Sequence, residues 1–195
     1  ITIINNEVQL AERFGKPDAN TFQTFFTAAN FLSYGSDLRV VRSVGANAKN
    51  ATANSSVTTV LIENEGDYEA SHSSNTATFF NAKWAGALGN SIKVSMCDSL
   101  GYTTWTYAGE FDSVPATSTF ASRTSSANDE IHIIVLDVTG LLSGTAGTIL
   151  EKFAFVSKAS NAKNPDSSSN YYVDVINSRS KYLWWGGHLR ANWGT

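Results

Sequence analysis

The segment Ala82–Val94, AKWAGALGNSIKV, places a tryptophan and two glycines directly before an alternating apolar run. A glycine-rich stretch of this kind is typical of a phosphate-binding loop or of a turn that leads into a strand. A P-loop needs a lysine directly after its last glycine, and Asn follows Gly89 instead. A dinucleotide-binding loop needs a helix next, whereas residues 92–96 alternate as in a strand. We therefore interpret residues 86–90 as a turn.

The residue types in this turn support that interpretation. Gly86 and Gly89 allow a positive φ or a close approach of the backbone to another chain segment, and Asn90 tolerates the same backbone region. We expect Trp84 to anchor the start of the turn in the core. These four residues are predicted to be structural residues that set the register of the following strand.

Upstream of the turn, the chain begins with a predicted strand and a short helix. The first four residues, ITII, are all β-branched and include none of the usual turn residues, as in a short strand. Asn6 stands three residues before Gln9, which is the spacing of a helix N-cap, and Gly15 is positioned to end the helix. The sequence predicts a strand that leads into a helix.

A second helix is predicted after it. Phe22, Phe25, Phe26 and Ala29 recur at the spacing of one helix face, and Gly35 is positioned as its C-terminal stop. We expect this aromatic stripe to face the core. A strand over residues 37–45 would complete a strand, helix, helix, strand unit in a mixed or parallel sheet.

The composition divides the chain into three parts. Residues 1–45 are predicted to be the α/β portion of a core domain, and residues 46–56 are small, polar and without apolar period, as in a loop or linker. Residues 57–195 are predicted to be a β-rich domain. The fold class predicted is mixed α/β or α+β: an α/β layer followed by a barrel- or sandwich-like β-rich domain with a short helix.

Short apolar or alternating runs separated by turn residues indicate the strands of the β-rich part. They are residues 57–63, 76–84, 91–97, 102–111 and 130–138. Residues 147–160 fit both a helical stripe and a strand, and we favour the strand. A short helix is predicted near residues 170–178, with Ser169 or Asn170 as its cap, and an aromatic strand from Tyr182 follows it.

The composition excludes several classes of function. A net charge of −3, with basic residues scattered singly, gives no basic stripe for nucleic acid. A single cysteine, Cys97, rules out an intramolecular disulfide, and we expect it to be a buried, inert thiol. The three histidines lack the spacing of metal ligands. No apolar run reaches the length of a membrane-spanning helix, about 20 residues.

The sequence offers no strong catalytic constellation. It lacks a Gly-x-Ser-x-Gly motif, and His132 lies within an apolar strand pattern, where a satisfied, half-buried histidine is expected rather than a general base. His188 is expected to be a partly exposed contact residue. Two carboxylate pairs are candidates for glycoside hydrolysis if they face a groove, although carboxylates at strand edges are commonly only solubilising. The pairs are Glu110 with Asp112 and Asp129 with Glu130.

Segments spread over most of the chain resemble one family, in order. Residues 5–44 are similar to a unit in which a strand and an FG turn lead to an aromatic helix, a glycine and a strand with a VVR element. AKWAGALGNSIKV matches the pattern A-x-[YW]-x-G-x-x-G-[ND]-x-[IL]-x-V, and residues 148–185 include Y-x-x-D-x-[IF]-N. These segments resemble the contractile tail sheath proteins of long-tailed bacteriophages of the myovirus type.

The resemblance implies a structural subunit and not an enzyme, with no catalytic, cofactor or metal site. Such a subunit polymerises around the tail tube and contracts to drive the tube through the host envelope during genome delivery. Its implied partners are other sheath copies, the tail tube and baseplate proteins, without nucleic acid or membrane insertion. The implied location is the virion, after assembly in the host cytoplasm.

The resemblance also sets expectations about extent and assembly. The family carries an N-terminal arm and a C-terminal domain that pair with neighbouring subunits, and neither is recognisable in this sequence. We therefore expect the isolated 195-residue chain to be a monomer or to self-associate weakly. The structural residues that we single out are Phe22, Phe25 and Phe26 for the helix, Gly35 for its end, and Trp84, Gly86, Gly89 and Asn90 for the turn.

An alternative function is a β-rich domain that binds glycans on a host surface. Aromatic side chains stack on sugar rings, and the exposed members of a set of four aromatic residues in the β-rich part are candidates for this contact. They are Trp105, Tyr107, Trp184 and Trp185. Selective binding to a glycan array would favour this alternative.

Overall fold

A computed structural model describes residues 1–45, 47–53, 60–73, 78–190 and 193–194. Five helices and eight strands lie in these ranges. The helices are α1 (Glu7–Phe14), α2 (Phe22–Tyr34), α3 (Glu65–Asp67, continued by a π-helical turn Tyr68–His72), α4 (Thr119–Arg123) and α5 (Tyr172–Arg179). The strands are β1 (Thr2–Ile4), β2 (Leu38–Val40), β3 (Asn50–Thr52), β4 (Phe80–Ala85), β5 (Ile92–Cys97), β6 (Glu130–Asp137), β7 (Thr148–Ser157) and β8 (Leu183–Trp185). None of the described helices has the length and apolar character to cross a membrane.

The N-terminal unit is the predicted strand, helix, helix, strand sequence, but its sheet is antiparallel. β1 pairs with β2 from Thr2 opposite Val40 to Ile4 opposite Leu38. The expectation of a mixed or parallel sheet was wrong, because the chain changes direction three times, once between each pair of consecutive elements, so β2 runs antiparallel to β1. Ile4, Leu10 and Phe25 form a separate hydrophobic cluster between the sheet and the helices.

The predicted start and end of α1 are confirmed. The Asn6 side chain accepts a hydrogen bond from the backbone N–H of Gln9 at 2.9 Å, and the Gln9 side chain accepts from the N–H of Asn5. These bonds satisfy amides that have no partner within the helix. The helix ends at Gly15, which has a φ of 84°.

The structure corrects the prediction for the aromatic stripe of α2. Phe25 is buried, whereas Phe22 and Phe26 are 47% and 51% exposed. The buried side of the helix runs instead through Phe25 and the partly buried Ala28, Ala29 and Leu32. The two exposed phenylalanines lie on one flank of this side, because the two-stranded sheet is too narrow to cover it. The helix ends before Gly35 as predicted.

The polar stretch 46–56 contains a short strand within its described part. β3 pairs with β4, and the buried Asn50 side chain donates to the carbonyl of Ala82 at 2.8 Å and accepts from the N–H of Ile62 at 2.8 Å. The side-chain amide of Asn50 thus makes the hydrogen bonds to backbone groups that a neighbouring strand would otherwise make. The prediction of a loop or linker missed this strand because its sequence, Asn-Ala-Thr, carries no apolar period.

The β-rich part contains two antiparallel sheets of three strands. One sheet has the order β3-β4-β8, and the other has the order β5-β6-β7. The mixed fold class predicted from the sequence is confirmed, and the strands of the described residues form no closed barrel. The ambiguous segment is the strand β7, as favoured, and the predicted C-terminal helix and strand are α5 and β8.

The main core lies between the two sheets and α5. Its members come from β4, β6, β7, β8 and α5 and are almost completely inaccessible. They include Phe80, Trp84, Ile131, Ile133, Val135, Phe153, Tyr172, Ile176 and Trp185. Burial of so many large side chains supplies the main driving force for folding of this part.

Some predicted elements of the β-rich part are wrong or incomplete. Residues 102–111 form 3₁₀ turns at Tyr102–Thr104 and Ala108–Glu110 instead of a strand. Their aromatic side chains lie over the β5–β6–β7 sheet. The apolar run in the sequence therefore belongs to a loop that covers the sheet and not to a strand. Helix α5 begins after Tyr171 without a side-chain cap, so neither Ser169 nor Asn170 is the cap. The predicted strand 57–63 lies partly outside the described residues, and residues 60–63 form no strand.

The turn predicted at Gly86–Asn90 is confirmed as a 3₁₀ turn over Ala87–Ser91. It carries the chain from β4 in one sheet to β5 in the other. Gly86 has a φ of 107°, which favours glycine, and a Cβ built at Gly89 would lie 2.8 Å from the Cβ of Ala82. The turn therefore needs both glycines, the first for its conformation and the second for close packing.

A buried carboxylate binds the end of this turn where β5 begins. Asp137, at the end of β6, accepts hydrogen bonds from the N–H groups of Gly140, Leu142 and Ser143 at 2.7–2.9 Å and from the hydroxyl groups of Ser91 and Ser143. Burial opposes ionisation of Asp137, but these donors outweigh it and lower the pKa of the carboxyl below its ordinary value of 3.8. One carboxylate thus joins the start of β5 to the β6–β7 loop.

Substitution of Gly89 by alanine tests the close packing of the turn. The added methyl group would meet the Cβ atoms of Ala82 and Ala51 at 2.8 and 3.0 Å. We expect the free energy of unfolding, measured by urea denaturation, to fall by about 1–3 kcal/mol. The matched control is Gly109→Ala, where a Cβ meets no atom within 4 Å and the change should stay within about 0.5 kcal/mol. Equal effects of the two substitutions would refute the packing argument.

Candidate functional site

The predicted structural residues occupy two separate places in the structure. Trp84 is buried in the main core and packs edge-on against Tyr182 with ring centroids 5.4 Å apart. Gly86, Gly89 and Asn90 follow it in the turn, where Asn90 is exposed. Phe22, Phe25, Phe26 and Gly35 belong to α2 of the N-terminal unit. Trp84 and Gly89 are therefore internal, whereas the rest of the turn and part of the α2 set reach the surface.

The N-terminal unit carries most of the exposed apolar side chains. Nine of the fourteen exposed large hydrophobic residues within the described residues lie in residues 1–44. They are Ile1, Ile3, Val8, Phe22, Phe26, Phe31, Tyr34, Val41 and Val44. Concentrated exposure of this kind marks a surface that contacts another molecule or segment, whereas scattered single residues are normal on any surface.

One part of this surface is the outer face of the β1–β2 sheet. Ile4 and the partly buried Leu38 and Val40 face the helices. Because side chains alternate along a strand, Ile3 of β1 and Arg39 of β2, which lie opposite each other in the ladder, are on the other face. Ile3 is 53% exposed, and Val41, which directly follows β2, is 73% exposed. We call this side of the unit the sheet face. The described residues of the chain leave this face largely exposed.

The other part is the exposed flank of α2, which we call the helix face and define by Phe22 and Phe26. These residues are four positions apart, so their side chains lie one above the other on the helix surface. The ring of Phe26 also packs edge-on against the buried Phe25, with centroids 5.7 Å apart. None of the 13 residues of α2 carries a charge, although 16% of the whole chain is charged.

Polar contacts attach the N-terminal unit to the β-rich part. The Nζ of Lys16 donates to the carbonyl of Ser143 at 2.8 Å, and Glu12 pairs with Lys181 at 3.1 Å. The guanidinium of Arg42 donates to the carbonyl of Ala85. These contacts come from α1, the residue after Gly15, and the segment after β2, so α2 takes no part in them. Within the described residues, these polar contacts leave Ile3 on the sheet face and Phe22 and Phe26 on the helix face about half exposed.

The four carboxylates considered for glycoside hydrolysis have structural surroundings. Asp129 is buried and accepts from the N–H and hydroxyl of Ser118 and from the hydroxyl of Ser157 at 2.6–2.8 Å. Glu130 accepts from the N–H of Ala116, and Glu110 pairs with Lys152. Asp112 is exposed. The partners of Asp129, Glu130 and Glu110 are thus groups of the surrounding loops and strands.

His132 is a buried structural histidine, as its apolar surroundings predict. Its Nε2 lies 2.8 Å from the carbonyl of Ser113, and its Nδ1 accepts from the N–H of Phe155 at 3.1 Å. These partners require a neutral ring with the proton on Nε2. Phe155 has a φ of 54° at an irregular point of the β6–β7 ladder, so the imidazole serves an amide that the ladder leaves unpaired.

Aromatic rings surround His132 and exclude water from it. Phe111 stacks on the imidazole with centroids 4.2 Å apart, and Phe155 packs edge-on at 4.6 Å. Burial lowers the pKa of His132 below its ordinary value of 6.5, against smaller opposing effects of the Ser113 carbonyl and Glu130. Because the imidazole is inaccessible to a substrate, His132 is not positioned to act as a general base.

The aromatic residues proposed to stack on glycans are divided by the structure. Trp184 and Trp185 are buried, and Trp184 is stacked on Tyr68 with centroids 4.6 Å apart. Trp105 and Tyr107 remain near the surface, packed edge-on against each other at 5.7 Å. The buried pair is therefore not available to a glycan, and the predicted platform loses half of its members.

His188 is partly buried in a tyrosine-rich contact. Its Nδ1 lies 2.6 Å from the hydroxyl of Tyr172 and its Nε2 lies 3.3 Å from the hydroxyl of Tyr171. Burial lowers the pKa of His188 below 6.5. The contact ties the segment after β8 to α5, in agreement with the expected role of a contact residue. Cys97 is buried, as predicted, and its burial raises the pKa of its thiol.

Sequence reasoning missed the two exposed faces of the N-terminal unit. The spacing of Phe22, Phe25 and Phe26 predicted one buried stripe, because periodicity identifies an apolar side and does not tell how much of it the rest of the chain covers. The available signal was the complete absence of charge from a helix of a charged chain. A helix at the surface of a protein normally carries charged or polar residues on the side that faces water.

Comparison with known proteins finds relatives of one kind. The chain is 32% identical over 149 residues, 76% of its length, to a protein of Salmonella phage ViI named tail sheath protein. It is 52% identical over 50 residues to the tail sheath protein of Enterobacteria phage T4, and 49% identical over 53 residues to that of Vibrio phage KVP40. No protein-family model matches the chain.

These matches cover only part of each relative. The match spans 22% of the length of the Salmonella phage protein and 8% of each of the other two. The chain thus spans less than a quarter of the length of the relatives that it matches. All three relatives are named tail sheath protein.

The neutral state of His132 is tested by its titration. In the folded protein we expect the NMR titration midpoint of this imidazole to lie below 6.5, because burial disfavours its charged form. The unfolded chain then binds the proton first as the pH falls. The free energy of unfolding should therefore decrease as the pH falls through 6.5 towards the folded midpoint. The decrease should be smaller in His132→Gln, and a midpoint above 6.5 would contradict the assignment.

Proposed function

Because this chain is a homologue of phage tail sheath proteins, we propose that it is part of a structural subunit of a contractile tail sheath. In this role, many copies polymerise around a tail tube and contract to drive the tube through the host envelope during genome delivery. The observation that carries the proposal is the 32% identity over 149 residues to a tail sheath protein. The resemblance of three ordered sequence segments to the same family supports it.

The architecture is compatible with a structural subunit. Three buried polar residues, Asp129, His132 and Asp137, have hydrogen-bond partners within the fold. The exposed apolar side chains collect instead on the N-terminal unit. A subunit that works by packing against neighbours needs a stable body and an apolar contact surface, and it needs no reactive side chain.

Contraction in this proposal is a change between two packings of the same subunits. An extended sheath is metastable, and a contracted sheath is more stable, so that small gains in each subunit add over many copies. The N-terminal unit has its own hydrophobic cluster and is attached to the β-rich part by polar contacts. Polar interfaces between domains allow relative motion more readily than large apolar ones do.

The remaining features of the subunit are proposed with this function. Residues 1–45 would be the α/β portion of the sheath core domain, residues 46–56 a connecting segment and residues 57–195 a β-rich protruding domain. The partners would be other sheath copies, the tail tube and baseplate proteins. The location would be the virion, after assembly in the cytoplasm of the bacterial host, and the subunit would not be an enzyme.

Electron microscopy of the complete gene product that contains this sequence tests the proposed function. The protein would be expressed alone, purified and viewed by negative staining, with the 195-residue chain beside it. We expect rings or tubes from the complete product, because sheath subunits form open head-to-tail assemblies. The 195-residue chain should give single particles or small oligomers.

A monodisperse complete product, under salt and concentration conditions that favour polymerisation of sheath proteins, would contradict the proposal. A glycan array probed with the same sample is the second measurement. Selective glycan binding together with a monodisperse product would favour the host-surface binding function, with Trp105 and Tyr107 as the aromatic residues left near the surface.

A further inference from the structure

We propose that the cavity lined by Trp105 and Trp193 in the β-rich part is a binding site for one neutral pyranose ring of a glycan. The cavity has a volume of about 460 Å³ and opens at the surface of the protein beside the end of β5. Sites that bind small ligands have volumes of about 300–1,000 Å³. The proposed site goes beyond the sheath function and does not depend on it, because a sugar site can belong to an assembled subunit or to a free one.

Three segments that are distant in the sequence form the cavity. They are the end of β5 with the following Asp98, the 3₁₀ turn that leads to Trp105, and the segment after β8 with Trp193. A backbone hydrogen bond holds the last segment in place, since the N–H of Gly194 donates to the carbonyl of Lys158 at 2.9 Å. The walls of the cavity therefore belong to the tertiary fold and not to a single loop.

The indole ring of Trp105 is held in position by the chain itself. Its Nε1–H donates to the hydroxyl of Ser95 in β5 at 2.8 Å. The ring stacks on Phe111 with centroids 5.4 Å apart, and Phe111 stacks in turn on the buried His132. Phe111 covers one face of the indole, so a ligand in the cavity would meet the other face. A ring that is already immobile loses little entropy when a ligand binds.

Trp193 supplies the second aromatic wall. Its ring packs edge-on against the buried Tyr172, with centroids 5.6 Å apart. Trp105 and Trp193 are the partly exposed tryptophans among the five of the chain. The other three are buried, and they are Trp84, Trp184 and Trp185. The cavity thus has two flat apolar surfaces of the kind on which the C–H groups of a sugar ring stack.

Asp98 and Arg190 supply polar groups of opposite charge. The Oδ2 of Asp98 lies 3.7 Å from the Nη1 of Arg190, which is too far for a hydrogen bond between them. The Oδ1 of Asp98 accepts from the N–H of Gly101 at 3.2 Å, and the Asp98 side chain is 17% exposed. Gly101 therefore fixes the carboxylate while Oδ2 keeps its capacity to accept a hydrogen bond from a ligand.

The two charges decide which kind of ligand fits. The carboxylate of Asp98 repels an anion and the guanidinium of Arg190 repels a cation, so the pair favours a neutral molecule. A hydroxyl group both donates and accepts, so a hydroxyl placed at the pair donates to Asp98 and accepts from Arg190. A pyranose combines several such hydroxyl groups with an apolar face. Its chemistry therefore matches the aromatic walls and the ion pair together.

NMR spectroscopy of the 195-residue chain tests the site, because each tryptophan gives its own indole N–H signal. The probes are the methyl glycosides of glucose, galactose and mannose. We expect at least one of them to bind with a dissociation constant of about 1 mM, as is typical of ligands of this size. The bound glycoside should shift the indole signals of Trp105 and Trp193. The signals of the three buried tryptophans should stay in place.

Two substitutions test the polar groups of the site. Asp98→Asn keeps the size of the side chain and the acceptor for Gly101, and Arg190→Gln shortens a side chain that is 68% exposed. We expect each to weaken binding of the same glycoside about tenfold, because each removes a charged hydrogen-bond partner. Both variants should fold, which thermal melting without sugar would verify.

The matched control is Arg39→Gln in the N-terminal unit. Arg39 lies 3.7 Å from Asp37, the same distance as in the cavity, and its side chain is 67% exposed. This substitution removes an equivalent ion pair outside the cavity, so the affinity for the glycoside should not change. An equal loss of affinity in Arg39→Gln and Arg190→Gln would contradict the assignment of the sugar to the cavity.

A glycan array extends the search beyond the three glycosides. The proposal is overturned if neither the glycosides nor the array show binding that shifts Trp105 and Trp193. It is also overturned if the sugar binds Asp98→Asn and Arg190→Gln as well as the original chain. A peptide library that binds in place of the glycans and shifts the same two tryptophans would assign the cavity to a peptide, against the proposal.

This proposal and the sheath function fail separately. Tubes from the complete gene product, without sugar binding by the 195-residue chain, would leave the sheath function standing and refute the sugar site. Sugar binding that depends on Asp98 and Arg190, without tubes, would support the site and refute the sheath function. Tubes together with such binding would support both.

Discussion

The close approach at Gly89 is the constraint on which the β-rich part depends. There the chain leaves β4 of one sheet and enters β5 of the other, and the space between Ala82 and Ala51 has no room for a side chain. Any other residue would separate the two sheets that enclose the main core. The carboxylate of Asp137 fixes the start of β5, because it accepts hydrogen bonds both from Ser91 and from the loop between β6 and β7. The glycine and the carboxylate thus fix the relative position of both sheets.

A body fixed in this way leaves the N-terminal unit as a separate element. The unit has its own small cluster around Leu10 and Phe25, and it meets the β-rich part through lysine, arginine and glutamate contacts. Its outer sides carry most of the exposed apolar residues of the described chain. A stable body with an attached contact unit is a suitable design for a protein that acts by packing against copies of itself. The proposed sheath function, which rests on the identity to tail sheath proteins, is compatible with this division.

Local features were predictable from the sequence where neighbouring residues determine them. The Asn6 cap, the end of α1 at Gly15 and the turn at Gly86 each depend on the conformation of a few residues. The covering of Phe22 and Phe26 was not predictable, because it depends on the width of a sheet that forms from distant segments. The turns at residues 102–111 were mistaken for a strand, since aromatic residues that cover a sheet have the composition of a strand. The family resemblance gave the function class, and the structure added the surfaces.

The measurement that tests this account most directly is native-state hydrogen exchange of the 195-residue chain, followed amide by amide. The account predicts that the amides of Leu142 and Ser143, which bind Asp137, exchange only through global unfolding, together with those of β6. The amides of α1 and α2 should exchange through a separate opening of lower free energy. Fast exchange at Leu142 and Ser143, or a single free energy of opening for both parts, would contradict the account.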